Sequence, residues 1–194
     1  MKPLGRHLIL IGFMGSGKTS VGLRLSYKLQ VSVEDTDKLI ERSAGKSIRQ
    51  IFDEEGESAF RRMETEMLYR IMKDDKPKIY SLGGGTPVQL RNQPLIKKCG
   101  TVVYLKISPE AVYERLKGDT RRPLLQCDDP YAKIRKLLGE REPAYARCAD
   151  ITVEVDGLSQ QEVVSRILRE TGNEELCDED TGGERTQSEL SGNP

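Results

Sequence analysis

The sequence predicts an α/β fold, a parallel sheet with helices on both faces. Three observations carry this. Short apolar runs alternate with stretches of helical periodicity along most of the chain. The first run, His7–Ile11, passes through a glycine-rich loop straight into a helical pattern, as in strand–loop–helix nucleotide sites. The chain has 194 residues, enough for one domain whose core needs neither metal nor disulfide.

Each element has its own signal. HLILI at 7–11 is continuously apolar, as a strand buried on both faces must be. Lys18–Leu29 places Val21, Leu25 and Leu29 on one helical face, and Val31–Glu34 reads as a second strand. Asp37–Ser43 and Ser47–Phe52 read as short helices around Gly45. Glu57–Lys73 is a longer one, with Phe60, Met63, Met67, Leu68 and Ile71 on one side. Lys78–Leu82 is a strand stopped by three glycines. Gln89–Lys98 reads as helix and Thr101–Ile107 as strand. Ser108 and Pro109 are suited to cap and open the helix that runs to Leu116. Residues 118–130 have no clear periodicity. Tyr131–Arg147 is helical, with Pro143 expected to kink or shift it. Ile151–Val155 is the last strand and Ser159–Glu170 the last helix.

The formal charge is zero, but unevenly spread. Residues 171–194 hold seven acids and one base, which leaves 30 basic and 24 acidic residues in 1–170, a net of +6. We therefore expect a basic domain over 1–170 and an acidic, disordered tail over 171–194, whose few apolar residues cannot offset the entropy of ordering; a short helix docked through Leu176 is the lesser alternative. The neutral total argues against a general nucleic-acid binder. No apolar run approaches the ~18 residues that span a bilayer, and no cleavage pattern follows the first apolar stretch. Cys99, Cys127, Cys148 and Cys177 form no C-x-x-C pair, which removes zinc and dithiol chemistry and leaves the reducing cytoplasm as the expected location. His7 is the single histidine and sits at a strand edge, so a histidine triad is excluded.

Gly12-Phe13-Met14-Gly15-Ser16-Gly17-Lys18-Thr19 fits G-x-x-x-x-G-K-[ST] between a strand and a helix. Glycines let the backbone wrap a phosphate so that successive N–H groups face its oxygens, and the helix N-terminus adds its positive end. Lys18 can reach the β- and γ-phosphates, and the Thr19 hydroxyl can ligate Mg²⁺. Asp35 and Asp37 stand two apart at the end of the second strand. One could hold Mg²⁺ or its waters and the other a substrate hydroxyl; an Asp helix cap is the plainer alternative. Arg61 and Glu64, three apart on a helix, form either a surface ion pair or a carboxylate-binding fork steadied by an acid. Gly83, Gly84 and Gly85 permit close approach of a ligand, or a simple turn. Arg122 lies in the aperiodic segment, where a long loop commonly acts as a lid and an arginine can cover transferring phosphate. Arg141 is a second candidate for an anionic substrate.

In order, G-F-M-G-S-G-K-T-S, D-T-D, F-R-R-M-E, G-G-G, R-R-P-L-L and R-E-P-A-Y make the chain, over about residues 6–170, resemble the shikimate kinase family. The resemblance implies a three-layer P-loop kinase fold with strand order 2-3-1-4-5 and a mobile lid at about 117–131. It implies phosphorylation of the 3-hydroxyl of shikimate by ATP, on the route to chorismate and aromatic amino acids, by a monomer with no nucleic-acid or membrane partner. By similarity, Gly15, Ser16, Gly17, Lys18, Thr19 and Ser20 bind the ATP phosphates, and Thr19 and Asp35 serve Mg²⁺. Asp35 also stands near the reacting hydroxyl as its candidate proton acceptor. Asp37, Arg61, Gly83, Gly84, Gly85 and Arg141 bind shikimate, and Arg122 contacts ATP. Lys18, Asp35 and Arg122 are the expected catalytic set. The rival readings are a P-loop kinase for another small hydroxy acid such as gluconate, a nucleotide switch, which the absence of N-K-x-D disfavours, and an inactive binding module.

Overall fold

His7–Ile11 forms strand β1, and all five of its residues are buried. The computed structural model, which describes residues 5–117 and 127–177, places β1 at the centre of the sheet. It pairs in parallel with β3 (Ile79–Ser81) on one side and β4 (Gly100–Lys106) on the other. β2 (Val33–Asp35) pairs with β3 and β5 (Ile151–Glu154) with β4, giving the order β2-β3-β1-β4-β5. The fold class and strand order are those expected. Burial follows position: β1 and β3 are wholly buried, while Thr152 and Glu154 of edge strand β5 face out.

Helices cover both faces. α1 (Lys18–Leu29) and α8 (Gln160–Glu170) pack together against one face. α5 (Gln93–Cys99) and α7 (Pro130–Cys148) pack on the other, with α6 (Pro109–Leu116) against α7. α2 (Thr36–Ala44), α3 (Ile48–Glu55) and α4 (Glu57–Ile71) cluster beyond the β2–β3 side. Their starts follow local chemistry. Ser47 and Ser159 make capping boxes with Gln50 and Glu162, and Ser108 caps α6 ahead of Pro109. His7 is structural, as expected: its Nδ1 accepts from the Lys78 N–H, so its Nε2 carries the proton and donates to the Ile71 carbonyl at 3.1 Å.

α7 runs as one helix through Pro143, whose ring nitrogen has no N–H to donate. Two expectations need correction. The helix expected from Gln89 begins at Gln93. Before it come two 3₁₀ turns, Thr86–Val88 and Leu90–Asn92, pinned by buried Asn92, which donates to the Thr86 carbonyl and accepts from Thr65. The boundary expected at residue 170 is too early. Asn173 N–H bonds to the Leu168 carbonyl, Glu174–Leu176 form a 3₁₀ turn, and Leu176 is buried in the core. The remaining tail, 178–194, lies outside the described residues. So does most of the segment expected to be a lid, together with Arg122.

Burying Leu176 is worth roughly 2 kcal/mol. A chain ending at Glu170 should therefore melt about 5 °C below one ending at Cys177. Equal melting temperatures would show that the turn adds nothing to the fold.

Candidate active site

The site forms where the parallel strands end. β1 stops at Ile11, and the chain turns through residues 12–17 into α1. Gly15 and Gly17 have φ of 78° and 92°, a left-handed backbone open chiefly to glycine. This turns the loop around a hollow at the N-terminus of α1. The first turn of α1 carries no acid, so its positive end is not neutralised from within. Lys18 folds back over the loop, with Nζ 2.8 Å from the Gly12 carbonyl and 3.1 Å from that of Phe13. Ser16 Oγ is buried with no hydrogen-bond partner among the described residues.

A cleft of about 510 Å³ opens from this loop. Gly15, Gly17, Lys18, Thr19 and Ser20 line one side, Asp35, Asp37, Gly83 and Gly84 another, with Arg141 completing the wall. Residues from four separate stretches thus meet in one crevice outside the carboxyl ends of the strands, the usual ligand position in open α/β sheets.

The two aspartates differ. Asp35 is the N-cap of α2, its Oδ1 accepting from the N–H groups of Asp37 and Lys38. The cap alternative is therefore real, and it occupies one carboxylate oxygen. Asp37 has its Oδ1 buried without a partner among the described residues. Burial, then the charges of Asp35 and Glu64, push its pKa up from 3.8 to about 6, with Lys18 opposing.

Arg61 is held from two sides. Its Nη1 donates to Glu64 at 2.9 Å and its Nη2 to Glu57 at 2.8 Å. Glu64 is almost fully buried and also accepts from Thr86 Oγ1 at 2.6 Å and Gln89 Nε2 at 2.8 Å, so it is a fixed anchor. Burial alone would lower the arginine's pKa, but the bonds from Glu64 and Glu57 outweigh it and hold the charge firmly. Arg141 lies over the Phe13 ring, 5.7 Å from its centre, which ties it to the phosphate loop.

Two of the three glycines, Gly83 and Gly85, prove to be clearances for the protein's own side chains, while Gly84 leaves room for a Cβ. A Cβ on Gly83 would stand 2.5 Å from Asp37 Oδ1, and one on Gly85 2.3 Å from Arg61 Nη1. Arg115 was not singled out from the sequence. It lines the same cleft and donates to the carbonyls of Gly15 at 2.9 Å and Val155 at 3.1 Å. A lone arginine in the last turn of a helix carries no local signal of that role. Thr36 was also missed: its hydroxyl donates to the Ser81 carbonyl and accepts from the Gly83 N–H, joining D-T-D to the glycines.

The family model for shikimate kinase matches residues 14–171. The shikimate kinase of Neisseria gonorrhoeae is 43% identical over 170 residues, covering 87% of this chain and 98% of the relative. The structure of shikimate kinase from Acinetobacter baumannii in complex with shikimate superposes with a TM-score of 0.78 at 36% identity, covering 86% of this chain and 93% of that one. A gluconokinase from Sinorhizobium meliloti shares the fold alone, with a TM-score of 0.59 at 15% identity over 88% of this chain and 94% of that one. The match takes in most of the phosphate loop, the paired aspartates, Arg61, Arg141 and the glycines between them, and it places this chain in the shikimate kinase family.

Proposed function

We propose that the protein transfers the γ-phosphoryl group of ATP to the 3-hydroxyl of shikimate. The observation that carries this reading is one cleft with a phosphate loop on one wall and, on the other, Arg141 and Asp37, whose Oδ1 has no hydrogen-bond partner among the described residues. Phosphoryl transfer needs positioning and charge compensation more than covalent chemistry. Residues 15–20 would cradle the phosphates, Lys18 exchanging its carbonyl partners for phosphate oxygens. Arg141 and the doubly anchored Arg61 would take the shikimate carboxylate. Arg122, outside the described residues, is the further cation assigned to the transferring group.

Asp37 fits the reacting hydroxyl better than Asp35 does, because its buried Oδ1 has no hydrogen-bond partner among the described residues and burial raises its pKa to about 6. Asp35 keeps the part of the charge on the metal side. The donor set suits Mg²⁺: the Thr19 hydroxyl and the Asp35 carboxylate, both oxygen donors, line the same cleft. Mg²⁺ characteristically takes one or two protein oxygens, with phosphate and water supplying the rest. Bound by Thr19 and Asp35, it would neutralise phosphate charge. The same reading makes the enzyme a cytoplasmic monomer.

A coupled ADP-release assay with shikimate, gluconate or no acceptor tests the reading. Turnover should require both shikimate and Mg²⁺. Turnover with gluconate alone, or at the same rate without acceptor, would overturn it.

A further inference from the structure

α7 carries Arg141 and, one turn later, Tyr145. Tyr145 is fully buried, and its hydroxyl donates to the Gly84 carbonyl at 2.7 Å. A Cβ on Gly84 would lie 3.5 Å from that hydroxyl and 3.6 Å from Arg141 Nη1, so the phenol, the glycine backbone and the arginine meet at one point of the cleft. The other side of the glycine strip is tied by Thr36, which accepts from the Gly83 N–H. Burial raises the Tyr145 pKa, with Arg141 pulling the other way, so the phenol is a protonated donor at neutral pH and no acid–base group.

A neighbouring side chain isolates the role of the hydroxyl. Tyr104 of β4 packs its ring 5.3 Å from that of Tyr145, and its own hydroxyl is buried with no hydrogen-bond partner among the described residues. Both rings fill the core, but only the Tyr145 hydroxyl reaches the site.

We infer that Tyr145 is a positioning residue for acceptor binding: its hydroxyl fixes the Gly84 backbone beside Arg141 and so sets the affinity for the acceptor's carboxylate. The inference rests on the shikimate reading. Loss of the hydroxyl frees one side of the glycine strip while Thr36 keeps the other, so the site loosens without unfolding.

Tyr145→Phe and Tyr104→Phe, each removing one buried hydroxyl, form the test. Tyr145→Phe should raise the KM for shikimate roughly five- to tenfold, the scale of one lost hydrogen bond. Its kcat and its KM for ATP should stay within about twofold of wild type. Tyr104→Phe should leave all three unchanged. An unmoved shikimate KM in Tyr145→Phe, a parallel rise in both KM values, or an equal effect of Tyr104→Phe would overturn the inference. A wild-type protein that fails to use shikimate at all would be a different result, overturning the substrate reading and this inference with it.

Discussion

Asp37→Asn should lower kcat by roughly 10²–10⁴-fold, the scale of a lost general base, while making the protein more stable at neutral pH. Both effects have one origin. The Asp37 carboxyl is held in a buried position beside Asp35 and Glu64, and its pKa stands at about 6 against 3.8 in the unfolded chain. Between those values the folded protein holds a proton that the unfolded chain has released. Stability therefore falls as pH rises from about 4 to about 6, and the cost stays in place above that window. The shift corresponds to about 1–3 kcal/mol, so the variant should melt roughly 3–8 °C higher at pH 8. The gain should shrink to a small remainder near pH 4 and vanish below about pH 3, where the wild-type carboxyl is protonated in both states. The wild-type kcat/KM should rise with pH through about 6 as Asp37 ionises. Thermal melts at pH 4 and pH 8 check the stability claim; a variant no more stable at pH 8 than at pH 4, relative to wild type, would show that Asp37 is not under electrostatic stress. Activity here is held at the expense of stability, as at many working sites.

The sequence made legible whatever depended on neighbours along the chain. HLILI announced a central parallel strand because burial on both faces leaves no room for polar alternation. The phosphate loop announced itself because its backbone path needs glycine at fixed positions. Asp35 could be read as cap or ligand, and the structure shows the cap together with a place in the cleft. What stayed hidden depends on distant carbonyl groups. Arg115 bonds to a carbonyl 100 residues away and Tyr145 to one 61 residues away. Every residue offers the same carbonyl, so no residue type marks such a partner. Leu176 was read as part of an acidic tail because a single apolar residue gives no period, and only the packed α8 surface provides its partner. Three successive glycines suit close approach of a ligand or a simple turn. At Gly83 and Gly85 the nearest occupants of that room are Asp37 and Arg61, which reach it from 46 and 24 residues back in the chain.

That clearance leads to a sharper test of Arg61. Arg61→Ala should raise the KM for shikimate about a hundredfold, the scale of a charge-assisted pair. Gly85→Ala should raise it too, by about tenfold or more, although the substitution adds only a methyl group. Gly85 has φ −90° and ψ −20°, which alanine adopts freely, so backbone strain is not the cause. The new methyl would lie 2.3 Å from Arg61 Nη1 and 3.1 Å from its Cζ. The guanidinium is the end of a flexible side chain and can swing away, so the fold survives, with a melting temperature lower by several degrees because buried Glu64 loses its cation. Swinging away breaks the bond to Glu64, however, and moves the charge off the position set by Glu57 and Glu64. The fold tolerates the methyl and the site does not. If the glycine acts only through Arg61, the double variant should bind shikimate no worse than Arg61→Ala alone, because the clash disappears with the side chain. Additive losses in the double variant would mean that Gly85 touches the acceptor directly.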